Sequence, residues 1–178
     1  MATTTWVVDP MHSEVSFKIK HLMITSVKGR FDQFDVKATT EEDDFSKAEI
    51  NFTADAASIN TGVTDRDAHL RSGDFFDAES FSQIQFVSTG MRKKSNDEFE
   101  LTGDLTIRDV TKPVSLEVEF GGIVKDPYGQ TKAGFTLEGK INRKDFGLTW
   151  GALTEAGGVV VADEVKILCE IQLIKQAS

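Results

Sequence analysis

Small or apolar residues recur at every second position in four stretches of this chain. They are Val15, Phe17 and Ile19; Val114, Leu116, Val118 and Phe120; Phe135, Leu137, Gly139 and Ile141; and Val165, Ile167, Cys169, Ile171 and Leu173. A two-residue period puts one set of side chains on one face of a strand, so the pattern predicts half-buried antiparallel strands that share an interior. A sheet of that length must curl closed or split into two layers to bury its apolar face. A closed sheet holds either a packed core or a cavity for an apolar guest.

The punctuation between these runs predicts roughly eight to ten strands in serial order. Trp6 to Asp9 reads as an opening strand stopped by Asp9-Pro10, and Ser13 to Lys20 as the next. Leu22 to Lys28 follows, with Gly29 as a kink or bulge, and the three-residue step from Phe31 to Phe34 predicts a bulge near Gln33. Glu41 to Asp44 is four acids in a row and reads as a solvated loop. Lys47 to Ala56 turns Ile50, Phe52, Ala54 and Ala56 to one face. Ile84, Phe86 and Ser88 mark another strand, ending at the polar turn Arg92 to Asp97. Phe99 to Ile107 pairs with Val114 to Phe120 across a turn expected at Lys112-Pro113. Asp126-Pro127-Tyr128-Gly129 is a hairpin signal, and Val159 to Lys175 is the last strand.

One region breaks this rhythm. Thr64-Asp65-Arg66-Asp67 resembles a capping box with Thr64 as the cap, and Gly73 offers a stop, so a two-turn helix is expected through Ala68 to Arg71. Arg66, Asp67 and Arg71 are expected to lock it to the barrel by ion pairs rather than to form an anion site. Phe75, Phe76 and Phe81 follow without strand periodicity. They plug one end of the barrel or form a lid over a cavity, and a plug that moves is a lid.

Composition narrows the classes. The 178 residues fit one domain, 1–178, and 39% hydrophobic residues with three prolines read as globular. Twenty Lys and Arg against 29 Asp and Glu give a net charge of −9, a surface expected to repel nucleic acid and anionic bilayers. Thirteen of the aromatic residues are Phe; only Trp6, Trp150 and Tyr128 carry a polar handle. Phe suits a dry core or a hydrocarbon pocket equally. No run approaches the ~18 to 20 apolar residues of a membrane helix. The lone Cys169 has inward parity and reads as a small buried hydrophobe. With no basic, apolar leader at the N-terminus, a reducing cytoplasm is the expected compartment unless a signal has been removed.

Catalytic signatures are absent from the local sequence: no G-x-S-x-G, H-E-x-x-H, C-x-x-C or glycine-rich phosphate loop. His12, His21 and His69 lack metal-ligand spacing, so neither a metal nor a cofactor is expected. His21 continues the inward parity of Ile19, as a rim histidine or a contact for a ligand head group.

Several motifs then carry a resemblance. Trp6-x-x-Asp9-x-x-His12-Ser13-x-Val15-x-Phe17, His21-Leu22 and Val27-x-Gly29-x-Phe31 are similar to the opening of the YceI-like family. Ser58-Ile59-x-Thr61, Arg66-Asp67-x-His69-Leu70-Arg71-Ser72-x-Asp74-Phe75-Phe76 and Phe81-x-x-Ile84-x-Phe86 continue it. So do Gly103-x-Leu105-Thr106-Ile107-Arg108, Lys112-Pro113-Val114 and Arg143-x-Asp145-Phe146-Gly147. The chain departs from the pattern at Phe81-Ser82, where Phe-Pro is usual, and in showing no export signal although members are often exported.

The resemblance implies an all-β, lipocalin-like, extended antiparallel barrel of about eight strands with a short helical insertion, holding a long isoprenoid or similar lipid. Gly103, Gly139, Ala54 and Ala56 at inward positions are expected to leave room along its axis. The expectation is therefore a non-enzymatic protein that sequesters or carries a polyisoprenoid, an isoprenoid quinone or a fatty-acid-type lipid. Its tunnel is expected to be lined by Phe17, Ile19, Phe52, Phe86, Leu116, Val118, Phe135 and Ile167, with His21, Phe75 and Phe76 as further ligand contacts. A homodimer is compatible with it. The alternatives are an enzyme acting on a bound isoprenoid or quinone, with His21 or His69 as acid or base, and a filled barrel that serves as an interaction module.

Overall fold

The computed structural model describes residues 2–22, 24–148 and 161–177. Strands β1 (Thr3–Val8), β2 (Glu14–His21), β3 (Thr25–Phe31), β4 (Phe34–Glu41), β5 (Asp44–Asp55) and β6 (Ile59–Asn60) precede helix α1 (Thr64–Arg71). After it come β7 (Gln83–Lys93), β8 (Glu98–Ile107), β9 (Val110–Lys125), β10 (Thr131–Asn142) and β11 (Val161–Lys175). The sheet runs β1-β4-β5-β7-β8-β9-β10-β11, and β1 returns to β11, which closes it. Strands β2, β3 and β6 prolong β1, β4 and β5 on the same neighbours: β11 pairs with β1 at its C-terminal end and with β2 over the rest of its length. The result is an antiparallel barrel of eight staves, three of them bent.

Each bend has a local cause. Between β1 and β2 a 3-10 turn spans Pro10–His12, capped by Asp9, whose carboxylate accepts the Met11 N–H at 3.1 Å. Between β3 and β4 the chain bends at Asp32 and Gln33, where the step from Phe31 to Phe34 marks it; Ser58 O and Gln33 O there accept the Asp32 and Asp55 N–H groups. After β5 a 3-10 turn, Ala56–Ser58, carries the chain away from β7, and β6 pairs with β3. Helix α1 packs against β6 at this end of the wall.

Alternation fills the interior from all sides, and rings close one end. Trp6 is fully buried, its ring centroid 5.0 Å from Phe45; Phe45 lies 4.9 Å from Phe135 and 5.6 Å from Phe120. Trp6 Nε1 donates to Thr40 Oγ1 at 3.1 Å, so its polar edge is satisfied inside this plug.

Several expectations need correction. The turn lies at Arg108 and Asp109, and Pro113 sits inside β9 opposite Asp104. Strand β10 joins β9 only from Glu117 onward, so at Pro113 the strand is paired on one side and a missing N–H is tolerated. Gly29 makes no bulge; it stands in register opposite Phe17 because a Cβ there would meet the Phe17 ring at 2.4 Å. The acidic run Glu41 to Asp44 is a tight hairpin in which only Glu42 and Asp43 lie outside the strands. Thr64 is the first residue of α1 rather than its cap, and Val63, in the capping position, makes no side-chain bond. Met23, Trp150 and the expected strand start at Val159 lie outside the described residues.

Candidate functional site

Beyond the ring plug the barrel encloses a cavity of about 390 Å³. Its wall follows from the registers. Phe17 stands opposite Ile167, and Phe52 opposite Phe86; Leu116 and Val118 follow along β9, and Phe135 forms part of the floor. Ile19 and His21 continue up β2 to the far end, where Phe75 and Phe76 come in from the segment after α1. All eleven residues singled out from the sequence border this one space.

Phe75 is buried with its ring edge-on to His69, 5.1 Å between centroids, and Phe76 stands edge-on to Phe31 at 5.9 Å. The segment is tied back to the helix by the Phe76 N–H to Leu70 O at 3.0 Å. The side chains of Leu70, Phe75 and Phe76 therefore face the cavity from the end where β6 leaves the wall.

Polar groups gather at that end. Thr61 anchors α1: its N–H and Oγ1 donate to Asp67 Oδ1 at 2.9 and 2.5 Å. Arg66 Nε donates to Thr61 Oγ1 at 2.7 Å, and its terminal nitrogen to Thr61 O at 2.8 Å. The expected ion pairs of Arg66 and Asp67 are thus replaced by hydrogen bonds that converge on a single threonine, and Arg71 makes no ion pair among the described residues. His69 Nε2 lies 2.9 Å from Asp74 Oδ2. No Asp or Glu lines the cavity among the described residues, while Lys20, His21, Arg66, His69 and Arg143 do.

Arg143 is the residue that sequence reasoning passed over. It is buried, and donates to the carbonyls of Leu148 at 2.6 Å and Ala162 at 2.9 Å, with Asp163 at 3.7 Å. Burial pushes its guanidinium below its ordinary value, against the pull of Asp163. It joins the chain after β10 to the start of β11. The signal was the Arg-x-Asp-Phe-Gly run, in which Gly147 adopts φ 79° and accepts the left-handed turn that brings Leu148 back to Arg143.

Cys169 borders the cavity from β11, and burial pushes its thiol up to about 12. The three histidines do not meet. His12 pairs with Asp9 at 2.8 Å, His69 with Asp74, and His21 faces the cavity. Among the described residues no three His, Cys, Asp or Glu side chains are grouped to hold a metal, and no helix is long and apolar enough to cross a membrane.

Residues 6–173 match the model of the YceI-like domain. A UPF0312 protein of Staphylococcus aureus strain MSSA476 is 42% identical over 164 residues, 92% of this chain and 93% of its own length. Among solved structures, BcnA of Burkholderia cenocepacia superposes with a TM-score of 0.80 at 25% identity, over 93% of this chain and 98% of its own. The Campylobacter jejuni YCEI protein gives 0.75 at 32% identity, covering 90% and 91%. A polyisoprenoid binding domain from Saccharophagus degradans gives 0.64 at 15% identity, over 96% and 98%, a likeness of fold.

Proposed function

The chain belongs to the YceI-like family, and from that premise we propose that it holds the tail of a long apolar lipid and sequesters or carries it. The observation that carries this reading is the cavity itself. It measures about 390 Å³, is closed at one end by the Trp6–Phe45–Phe135 rings and is lined by Phe and aliphatic side chains. An engineered apolar cavity of about 150 Å³ already admits benzene. A space more than twice that size suits a chain rather than a single ring.

The energetics favour length. Burying a methylene contributes about 0.8 kcal/mol, so ten contribute about 8 kcal/mol. Association costs roughly 4–15 kcal/mol, so short tails are not held and long ones are. With so few polar contacts inside, selectivity rests on length and shape. A polyisoprenoid, an isoprenoid quinone and a fatty acyl chain all meet that condition, and the Saccharophagus domain of the same architecture binds a polyisoprenoid. The tail lies along Phe17, Ile19, Phe52, Phe86, Leu116, Val118, Phe135 and Ile167. The head group stays near His21, with Phe75 and Phe76 over the entrance.

Mass spectrometry of an organic extract of the purified protein is the direct test, joined to thermal unfolding with a polyprenyl or fatty acyl probe. A ligand that binds only the folded form raises the midpoint with its concentration, by about 2.7 kcal/mol of stability at a hundredfold excess over Kd. Extracts free of lipid together with an unmoved midpoint would assign the cavity to a packing defect and end the carrier reading.

A further inference from the structure

The outer face of the barrel near the cavity mouth carries a feature that the overall charge conceals. Lys140 on β10 stands opposite Lys166 on β11, Lys166 opposite Lys18 on β2, and Lys18 opposite Lys28 on β3. Four exposed lysines thus form one row across four adjacent strands, about 14 Å wide at the spacing of neighbouring strands. Like charges directly opposite one another destabilise a sheet, so this row works against the fold that displays it. Lys20, also exposed, lies one repeat nearer the mouth on β2 and borders the cavity at its rim.

Acids offset only part of the row. Glu164 comes within 3.7 Å of Lys140, and Asp32 binds the neighbouring Arg30 at 2.7 Å. Lys18, Lys20, Lys28 and Lys166 make no ion pair among the described residues. From Val15 to Phe31 the sequence has no acid at all. The net charge of −9 is an average over the chain, whereas screening at physiological salt limits each charge to a range of about 8 Å. Glu138 and Glu164, each two residues along the same strand face from Lys140 and Lys166, offset that side of the row within this range, but acids farther round the barrel do not cancel its Lys18 and Lys28 side.

The same hairpin ends in apolar side chains. At the turn between β2 and β3, Ile24 is 76% exposed and Leu22 38% exposed. On its other face Phe17, Ile19, His21 and Val27 line the cavity. Basic flank, apolar tip and cavity mouth thus belong to one hairpin.

We propose that this face docks on an anionic lipid bilayer, with the lysine row on the head groups and the side chains of Leu22 and Ile24 inserted, so that the cavity opens against the leaflet. The docking stands on its own residues; only its purpose, exchange of a tail with the membrane, rests on the lipid-holding reading. An acidic protein or a nucleic acid would use the lysines but leave Leu22 and Ile24 exposed, which is why a bilayer fits the whole hairpin.

The test is co-sedimentation of the full chain with vesicles of phosphatidylcholine alone and with 30 mol% phosphatidylglycerol, at low and high salt. Binding is expected only to the anionic vesicles and falls as salt rises. A lysine near an anionic leaflet contributes about fivefold to partitioning, so Lys18→Gln, Lys28→Gln and Lys166→Gln together weaken binding by about a hundredfold. The melting midpoint of this variant should hold or rise, since it relieves like-charge pairs. Ile24→Trp should show a blue-shifted fluorescence difference on anionic vesicles and none in buffer. Equal binding to neutral vesicles, no binding to either, or tighter binding to polyglutamate or duplex DNA than to vesicles would each overturn the docking. Loading of a polyprenyl probe delivered from cyclodextrin, without vesicles, reads the cavity separately. Loading without vesicle binding sinks the docking alone, and vesicle binding without loading sinks the carrier reading alone.

Discussion

Gly103 takes the ring of Phe86 flat against the barrel wall: a Cβ at Gly103 would lie 2.4 Å from Phe86 Cζ and 2.6 Å from the Val87 carbonyl oxygen. Gly139 receives Leu116 Cδ2 in the same way at 2.4 Å, and Gly29 receives Phe17. Gly103 and Gly139 were expected to leave space in the lumen directly. Instead they leave space in the wall, and large side chains lie down into it.

Two alanine substitutions should therefore part company. Gly103→Ala meets rigid backbone as well as a ring and should cost about 1–3 kcal/mol of stability, the usual range for overpacking. Gly139→Ala meets chiefly the end of the Leu116 side chain, which can swing inward, and the Ser115 carbonyl oxygen only at 3.3 Å, which a shift of a few tenths of an ångström relieves. It should leave the denaturation midpoint nearly unchanged while reducing uptake of a polyprenyl probe. Equal losses of stability in the two variants would show that Leu116 has no room to move.

The Cys169 thiol borders the cavity and is pushed up to about 12 by burial. At pH 8 the thiolate fraction is then on the order of one in ten thousand, so maleimide labelling should be slow in the native protein and fast in denaturant. A tail in the cavity should slow it further. Rapid native labelling, insensitive to lipid, would contradict the placement of this strand face.

Phe75→Ala with Phe76→Ala removes rings from the mouth but none from the plug. Both sit at the mouth, so the loss per ring should not exceed the roughly 3–5 kcal/mol of a fully buried Phe→Ala. Circular dichroism should still report the sheet, and probe release should quicken. Phe86→Asp is a different case. A charge in the dry wall is strongly unfavourable unless it is neutralised, so that variant should lose probe binding and much of its stability.

Acid should act at a defined place. Lys132 Nζ lies 2.8 Å from Asp9 and 3.4 Å from Asp126, joining the turn before β2 to the β9–β10 hairpin. Burial by itself would raise the Asp9 carboxyl, but Lys132, His12 and the Met11 amide together hold it below its ordinary value. The Gln130 amide foremost, with the Tyr128 amide and Lys132, holds Asp126 down against desolvation. Depressed carboxylates contribute stability that is present above their unfolded values near 3.9 and is lost as pH falls through their folded values. The bond to Asp9 raises Lys132, which adds stability present below about 10.5 and lost as pH rises past its folded value. Lys132→Met should accordingly unfold at higher pH than the parent in an acid titration. An identical acid midpoint would mean that the cluster does not couple to folding.

Much of this was legible in order along the chain. The two-residue alternation that marked Val114 to Phe120 and Val165 to Leu173 is a property of one strand at a time, and burial of one face enforces it wherever the strand ends up. The inward parity of Phe17, Ile19 and His21 is legible for the same reason. So is the bend after Phe31, because a step of three between apolar residues cannot keep one face. Thr64 read as a cap because capping is local, yet the decisive bonds are those that Thr61 donates to Asp67 and accepts from Arg66, on the far side of a turn.

What only the tertiary structure decided depends on which residues face each other across strands. Phe45 is out of step with Ile50, Phe52 and Ala54, and nothing near it in sequence marks it as buried. Its place beside Trp6, Phe120 and Phe135 exists because β1, β5, β9 and β10 bring their ends together. Gly103 and Phe86 lie on different strands, and so do the four lysines, from Lys18 to Lys166. Alternation sets the face of each side chain, but the register between strands distant in sequence sets its neighbour. That register is chosen by closure of the barrel, which no single segment contains.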